Sequence, residues 1–106
     1  FKPTVGLVSR THVVPISATQ DTAGPMARSV ADAAWLLWAI AGSDPDDPAT
    51  AEADARRSDY PARLRTASLR GVRIGVLRKQ AGNDAKVRAV FETALQDLQR
   101  AGAVLT

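Results

Sequence analysis

The stretch Gln20-Asp21-Thr22-Ala23-Gly24-Pro25-Met26-Ala27-Arg28-Ser29-Val30-Ala31-Asp32-Ala33-Ala34 passes from a polar loop, through a Gly-Pro break, into an apolar helix. The break is sharp because proline fixes φ and lacks a backbone donor, while glycine accepts dihedrals closed to other residues. Ser29 then opens the helix. Its hydroxyl can accept from the Asp32 amide, and Asp32 sets negative charge near the positive helix end. The pattern has the form of a capping box with Asp in place of Glu. The predicted helix runs from about Val30 to Ala41, with Gly42 as its left-handed terminator. Val30, Ala33, Ala34, Leu37, Ile40 and Ala41 form one apolar stripe. Trp35, Leu36 and Trp38 carry the apolar surface almost all round, which suits a helix enclosed by a larger protein.

Upstream, Val5-Gly6-Leu7-Val8 and Val13-Val14-Pro15-Ile16 read as short extended pieces joined by the polar turn Ser9-Arg10-Thr11-His12. Pro15 demotes the second piece to an edge or irregular strand. Downstream, Ser43 to Pro48 is a Pro/Asp turn, and residues 51–69 are an arginine-rich linker with one short helix near Tyr60 to Arg65. Val72 to Leu77 alternates as a strand does, and Asn83 or Asp84 caps an amphipathic helix striped by Val87, Val90, Phe91, Ala94, Leu95 and Leu98. Gly102 ends that helix, and Ala103-Val104-Leu105 starts another strand. Residues 70–106 thus read as a strand–helix–strand unit, whose crossover is right-handed if its two strands pair in parallel. The expected class is α/β.

At 106 residues the chain can bury one modest core, roughly two thirds of its unfolded surface. Phe1 and the strand-like Val104-Leu105-Thr106 give both ends the look of a piece taken from a longer protein. There is no cysteine, so disulfides, thiolate zinc sites and a cysteine nucleophile are excluded. That composition fits a cytoplasmic protein. No apolar run approaches the roughly 20 residues that span a bilayer, so no membrane partner is expected.

The net charge of +3 hides an asymmetry: residues 1–55 carry −4, residues 56–88 carry +8, and the rest carry −1. A basic block of this kind would suit a nucleic-acid-binding module. Its arginines, however, are spread over loop, strand and helix start with only Tyr60 as an aromatic platform, which weighs against base stacking. A solvated arginine-rich surface is the better reading.

No Gly-x-Ser-x-Gly elbow, phosphate-binding glycine loop or dinucleotide fingerprint occurs. His12, the one histidine, lies in a predicted turn with nothing fixing a serine beside it, and reads as a loop residue. Asp44, Asp46 and Asp47 are interrupted by Pro45 and Pro48, which break the ligand spacing of a calcium loop. They read as a turn, and no metal is expected.

The ordered string Asp21-Thr22-Ala23-Gly24-Pro25-Met26-Ala27-Arg28 is joined by Phe1-Lys2-Pro3-Thr4-Val5-Gly6-Leu7-Val8-Ser9-Arg10 before it and Ile40-Ala41-Gly42-Ser43-Asp44-Pro45-Asp46-Asp47-Pro48 after it. Together they resemble the amidase signature family. The likeness is specific over residues 1–50 and limited to general strand–helix–strand shape over 70–106. It implies a mixed sheet flanked by helices, and a parent that cleaves a carboxamide to acid and ammonia or amine. Such enzymes use a serine nucleophile, a second serine held by a cis peptide, and a lysine base, with no metal or organic cofactor. A hydroxyl needs that base to become nucleophilic.

On the family's pattern the nucleophile and the lysine both precede Phe1, so no catalytic residue is expected in this chain and the piece alone should be inactive. Lys2 matches a structural lysine of the family's Gly-x-Lys-Pro-Thr strand. The positions that could line the acyl pocket are Arg10, Gln20, Asp21 and Thr22. For Asp21 and Thr22 the alternative is bracing of the turn before Gly24-Pro25. The implied partners are a small amide substrate and the rest of the amidase domain. Uncovered, the α-helical tryptophan face would drive self-association as a homo-oligomer or remain exposed with loose packing. The nearest alternative is the glutamine-amidohydrolase subunit of a tRNA-dependent amidotransferase.

Overall fold

The computed structural model describes residues 1–106, which fall into two compact units, Phe1–Thr66 and Ala67–Thr106. In the first unit, helix α1 spans Val30–Ile40 and is capped as its sequence predicts. Ser29 Oγ accepts from the Asp32 amide at 3.1 Å and donates to the Asp32 carboxylate at 2.8 Å. The helix ends on Ala41, whose backbone is already extended (φ −78°, ψ 132°), one residue before the expected terminator Gly42. The reason is a tertiary one. Ala41 forms an antiparallel bridge with Val8, and the Gly42 amide donates to the Leu7 carbonyl at 3.1 Å.

That bridge is all the β-structure in the first fifty residues. The two extended pieces expected at Val5–Val8 and Val13–Ile16 are not strands. Residues 4–7 close a turn instead, with the Leu7 amide on the Thr4 carbonyl and Gly6 at φ +84°. A side chain at Gly6 would sit 2.3 Å from the Ala49 carbonyl oxygen, so the turn can approach the 48–50 segment only as glycine. Val14 and Ile16 are exposed and have no strand beside them. Gly24 in the Gly-Pro break has a comparable role. A Cβ there would lie 2.1 Å from the Phe1 carbonyl and 2.7 Å from Pro3 Cδ.

The stretch read as a linker carries more helix than expected. A 3-10 turn at Pro48–Thr50 and a short helix α2 at Ala53–Arg56 precede helix α3 at Tyr60–Thr66. Asp47 starts the 3-10 turn by accepting from the Ala49 amide, and Asp59 caps α3 through the Ala62 amide at 2.8 Å. Helix α3 packs on α1. The core of this unit is Val8, Leu37 and Ala41, with Leu7, Ala23 and Tyr60 against it. Only part of the α1 stripe is covered. Val30 is 71% exposed, and Trp35, Leu36, Trp38 and Ile40 are also open to solvent. Trp35 and Trp38 meet edge to face at 6.0 Å, and the Arg57 guanidinium lies 5.8 Å over the Trp38 ring.

The second unit is the expected strand–helix–strand. Strand β1 (Arg73–Ile74) pairs in parallel with β2 (Val104–Leu105), in the register Arg73 with Val104 and Ile74 with Leu105. Hydrogen bonds from Val104 to Val72, Thr106 to Ile74 and Val76 to Thr106 extend the ladder at 2.8–3.0 Å. Helix α4 (Ala85–Arg100) is capped by Asp84, which accepts from the Lys86 and Val87 amides at 2.8 and 3.1 Å. Of its predicted stripe, Leu95 is buried and Phe91 and Leu98 are half-buried, whereas Val87 and Val90 stay exposed. A 3-10 turn at Arg78–Ala81, which no sequence signal marked, lies between β1 and α4. The class is α/β, and the one two-stranded sheet is parallel. No helix is long and apolar enough to cross a membrane.

Candidate functional site

Polar side chains converge where the Ser9–Thr11 turn meets the Asp44–Thr50 turn. Asp44 Oδ2 accepts from the Ser9 hydroxyl at 2.5 Å and the Thr11 hydroxyl at 2.7 Å. Asp47 takes the whole fork of Arg10: Nε reaches Oδ2 at 3.0 Å and Nη2 reaches Oδ1 at 2.8 Å, while the Arg10 backbone amide also donates to Oδ2 at 2.9 Å. Paired donors on paired acceptors fix orientation as well as distance. Beneath both aspartates sits Thr50, which has no exposed surface. Its hydroxyl accepts from the Asp44 amide at 2.8 Å and donates to the Asp47 carbonyl at 2.8 Å. Both turns are therefore held by side chains rather than by a sheet.

The charges follow from these bonds. Hydrogen bonding from the Arg10 side chain, then from its backbone amide, holds the Asp47 carboxyl far below the ordinary carboxylate range. The same side-chain bond raises the Arg10 guanidinium. The hydroxyls of Ser9 and Thr11, with the Asp46 amide, lower Asp44. All three groups are fixed in their ionised forms at neutral pH.

A second loop joins this cluster. Arg10 Nη1 donates to the Ala18 carbonyl at 2.8 Å. Asp21 Oδ2 accepts from the Ile16 and Ser17 amides, each at 2.8 Å, and its backbone amide returns to the Ser17 carbonyl at 2.9 Å. Those backbone donors lower the Asp21 carboxyl, with the positive charges of Arg10 and Lys2 adding to the effect. Arg10, Thr11, Val13, Pro15, Ala18, Asp21, Asp46 and Asp47 enclose a cleft of about 260 Å³.

Of the four residues the sequence singled out, Arg10 and Asp21 meet in that cleft. Gln20 is exposed, with its amide on the Ser17 carbonyl at 3.2 Å, and Thr22 is half-buried, its hydroxyl on the Ala23 carbonyl at 3.3 Å. Asp21 braces the backbone of Ile16 and Ser17, in the loop that precedes Gly24-Pro25. Asp47 was missed as the partner of Arg10, Asp44 as that of Ser9 and Thr11, and Thr50 as the residue that joins the two aspartates. The Asp-Pro-Asp-Asp-Pro string signals a turn, and nothing local in it names a partner more than thirty residues away. His12 is exposed and holds φ +65°, the left-handed region, as a turn residue.

Several arginines of the 56–88 block have acidic neighbours. Arg56 pairs with Glu52, Arg57 lies 4.0 Å from Asp54, and Arg78 reaches Glu92 at 2.5 Å.

Comparison with known proteins extends the likeness across the whole chain, including residues 51–69, where no motif was legible. The family model described as Amidase matches residues 1–106. A solved peptide amidase, in complex with the competitive inhibitor chymostatin, is 55% identical with a TM-score of 0.88, over 98% of this chain and 22% of its own. An amidase family protein of Bacillus anthracis is 46% identical with a TM-score of 0.87, over 99% of this chain and 21% of its own. A glutamyl-tRNA(Gln) amidotransferase subunit from Acinetobacter baylyi is 41% identical over 99% of this chain and 22% of its own length. The chain spans about a fifth of the length of the relatives it matches. By its motifs, its fold and this match over every residue, the chain belongs to the amidase family.

Proposed function

We propose that the protein carrying this chain hydrolyses a carboxamide to a carboxylic acid and ammonia or an amine. The observation that carries the reading is the match over residues 1–106, with 55% identity to a peptide amidase. On this reading the nucleophilic serine, the serine held by a cis peptide and the lysine base all lie outside these residues. The serine oxygen attacks the carbonyl carbon as its proton passes through the bridging serine to the lysine. Backbone amides of the Gly/Ser-rich segment bind the oxyanion. The C–N bond breaks as the nitrogen is protonated, and water then releases the acid from the acyl-enzyme.

These residues would build one wall of the acyl pocket. Gln20 and Thr22 offer polar groups to the substrate, and Arg10 and Asp21 complete the wall from the neighbouring cleft. The exposed α1 face of Trp35, Leu36 and Trp38 packs under the rest of the amidase domain, and the protein is cytoplasmic. The favoured substrate is a small or peptide carboxamide.

A second reading is supported by the 41% identity to a glutamyl-tRNA(Gln) amidotransferase subunit. There the amide is glutamine, the ammonia is passed on, and the partners are the other subunits. Reading the coding sequence upstream of Phe1 tests both. An amide hydrolase requires a Gly/Ser-rich serine segment and an earlier lysine there, and their absence would end the assignment. Ammonia release from peptide amides against release from glutamine then separates the two readings.

A further inference from the structure

The Arg10 guanidinium hydrogen-bonds to both the fixed Asp44–Thr50 turn and the loop carrying Gln20, Asp21 and Thr22. Two of its nitrogens are committed to the two Asp47 oxygens, and the third holds the Ala18 carbonyl at 2.8 Å. Asp47 is itself immobilised: its oxygens also take the Arg10 and Ala49 amides, and its carbonyl takes the Thr50 amide and hydroxyl. The 16–21 loop has bonds of its own, from Ile16 and Ser17 to Asp21 and from Asp21 to Ser17. Those bonds close the loop on itself, and the Ala18 bond ties it to the anchored turn.

We propose that Arg10 is a positioning residue. Anchored on Asp47 and holding the Ala18 carbonyl, it sets the 16–22 loop, and with it Gln20 and Thr22, at the place where substrate is bound. This rests on the amidase reading above and assigns Arg10 a role different from substrate contact. Three of its donors already have partners within the chain. A lysine would keep the charge and lose the geometry, because one ammonium cannot fill a two-oxygen fork and reach a carbonyl on the far side.

The structure also supplies a control. The Thr11 hydroxyl pins the same Ser9–Thr11 turn to Asp44 without a hydrogen bond to the 16–22 loop. A general loosening of the turn would follow from Thr11→Val as well as from Arg10→Lys, whereas loss of loop positioning follows only from Arg10→Lys.

The test uses the full-length protein. Its readouts are steady-state hydrolysis of a peptide carboxamide and hydrogen exchange at the Ser17, Gln20 and Asp21 amides. Arg10→Lys is expected to raise KM about tenfold with kcat within about twofold, the pattern for lost binding shared by ground and transition states. Exchange at the three amides should quicken by a similar factor. Thr11→Val should leave these exchange rates at wild-type values. Unchanged KM and exchange in Arg10→Lys, or an equal quickening of exchange in Thr11→Val, would overturn the proposal. If the wild-type protein hydrolyses no amide, the amidase reading fails on that result alone. The exchange comparison still decides whether Arg10 holds the loop.

Discussion

Thr50→Val removes one oxygen atom from a side chain with no exposed surface, and the structure indicates which group suffers. The carbonyls of Asp47 and Asp44 that face the hydroxyl keep other donors, the Thr50 amide at 2.9 Å and the Asp47 amide at 3.1 Å. The Asp44 amide is different, because Thr50 Oγ1 at 2.8 Å is its acceptor. Valine therefore leaves one partly buried N–H without a partner, and the cost of such an orphan is about 1–3 kcal/mol. Valine matches threonine in shape, so no cavity adds to this. We expect Thr50→Val to destabilise by about 2 kcal/mol. Thr50→Ser keeps the hydroxyl and loses one buried methyl, at about 1 kcal/mol. Urea unfolding of the full-length protein, with the slope unchanged between variants, reads both values. Hydrogen exchange at Asp44 should quicken in the valine variant alone. A valine variant within about 0.5 kcal/mol of wild type, or a serine variant that is the worse of the two, would refute the reasoning.

Three further outcomes follow from local geometry. The Asp21, Asp44, Asp47 and Asp54 carboxyls lie below their ordinary value of 3.8 in the folded chain. The unfolded chain therefore takes up protons first on acidification, and the stability these groups supply is present above about pH 5 and lost as pH falls through 4 and below. Tm measured against pH should be level from pH 7 to 5 and fall below 4, less steeply in Asp47→Asn; a Tm that rises on acidification would contradict this. Ser29→Ala removes the α1 cap and should cost about 1 kcal/mol by urea unfolding, with no loss expected only if the cap is idle. His12→Gly relieves a left-handed residue and should stabilise by about 1 kcal/mol in the same assay, whereas destabilisation would mean that the imidazole makes a needed contact.

Helices α1 and α4 were legible because their signals are local. Ser29 and Asp84 each have the capped amide two or three residues away, and the α4 stripe recurs within one helix. The strand–helix–strand order of the second unit was legible too, and the parallel pairing of β1 with β2 is the one such an order permits across a helix. What failed depended on distant partners. Val13–Ile16 has the composition of a strand but no neighbour to pair with, and α1 ends one residue early because Ala41 bridges to Val8. The Arg10–Asp47 pair joins residues 37 positions apart, so the turn read at Ser43–Pro48 was correct in kind while its anchoring role was invisible. Residues 51–69 looked like a linker because they are arginine-rich and Tyr60, Leu64 and Leu69 are their only large apolar side chains, yet alanines and Tyr60 suffice to form short helices, with α3 packed on α1.

On the reading proposed above, this chain forms one wall of an amide hydrolase whose reacting groups lie elsewhere in the protein. The decisive comparison is ammonia release from a peptide carboxamide, measured side by side for the full-length protein and for residues 1–106 alone. Turnover is expected from the full-length protein, and only the buffer rate from residues 1–106. Turnover by residues 1–106, abolished by Ser9→Ala or Ser17→Ala, would contradict it.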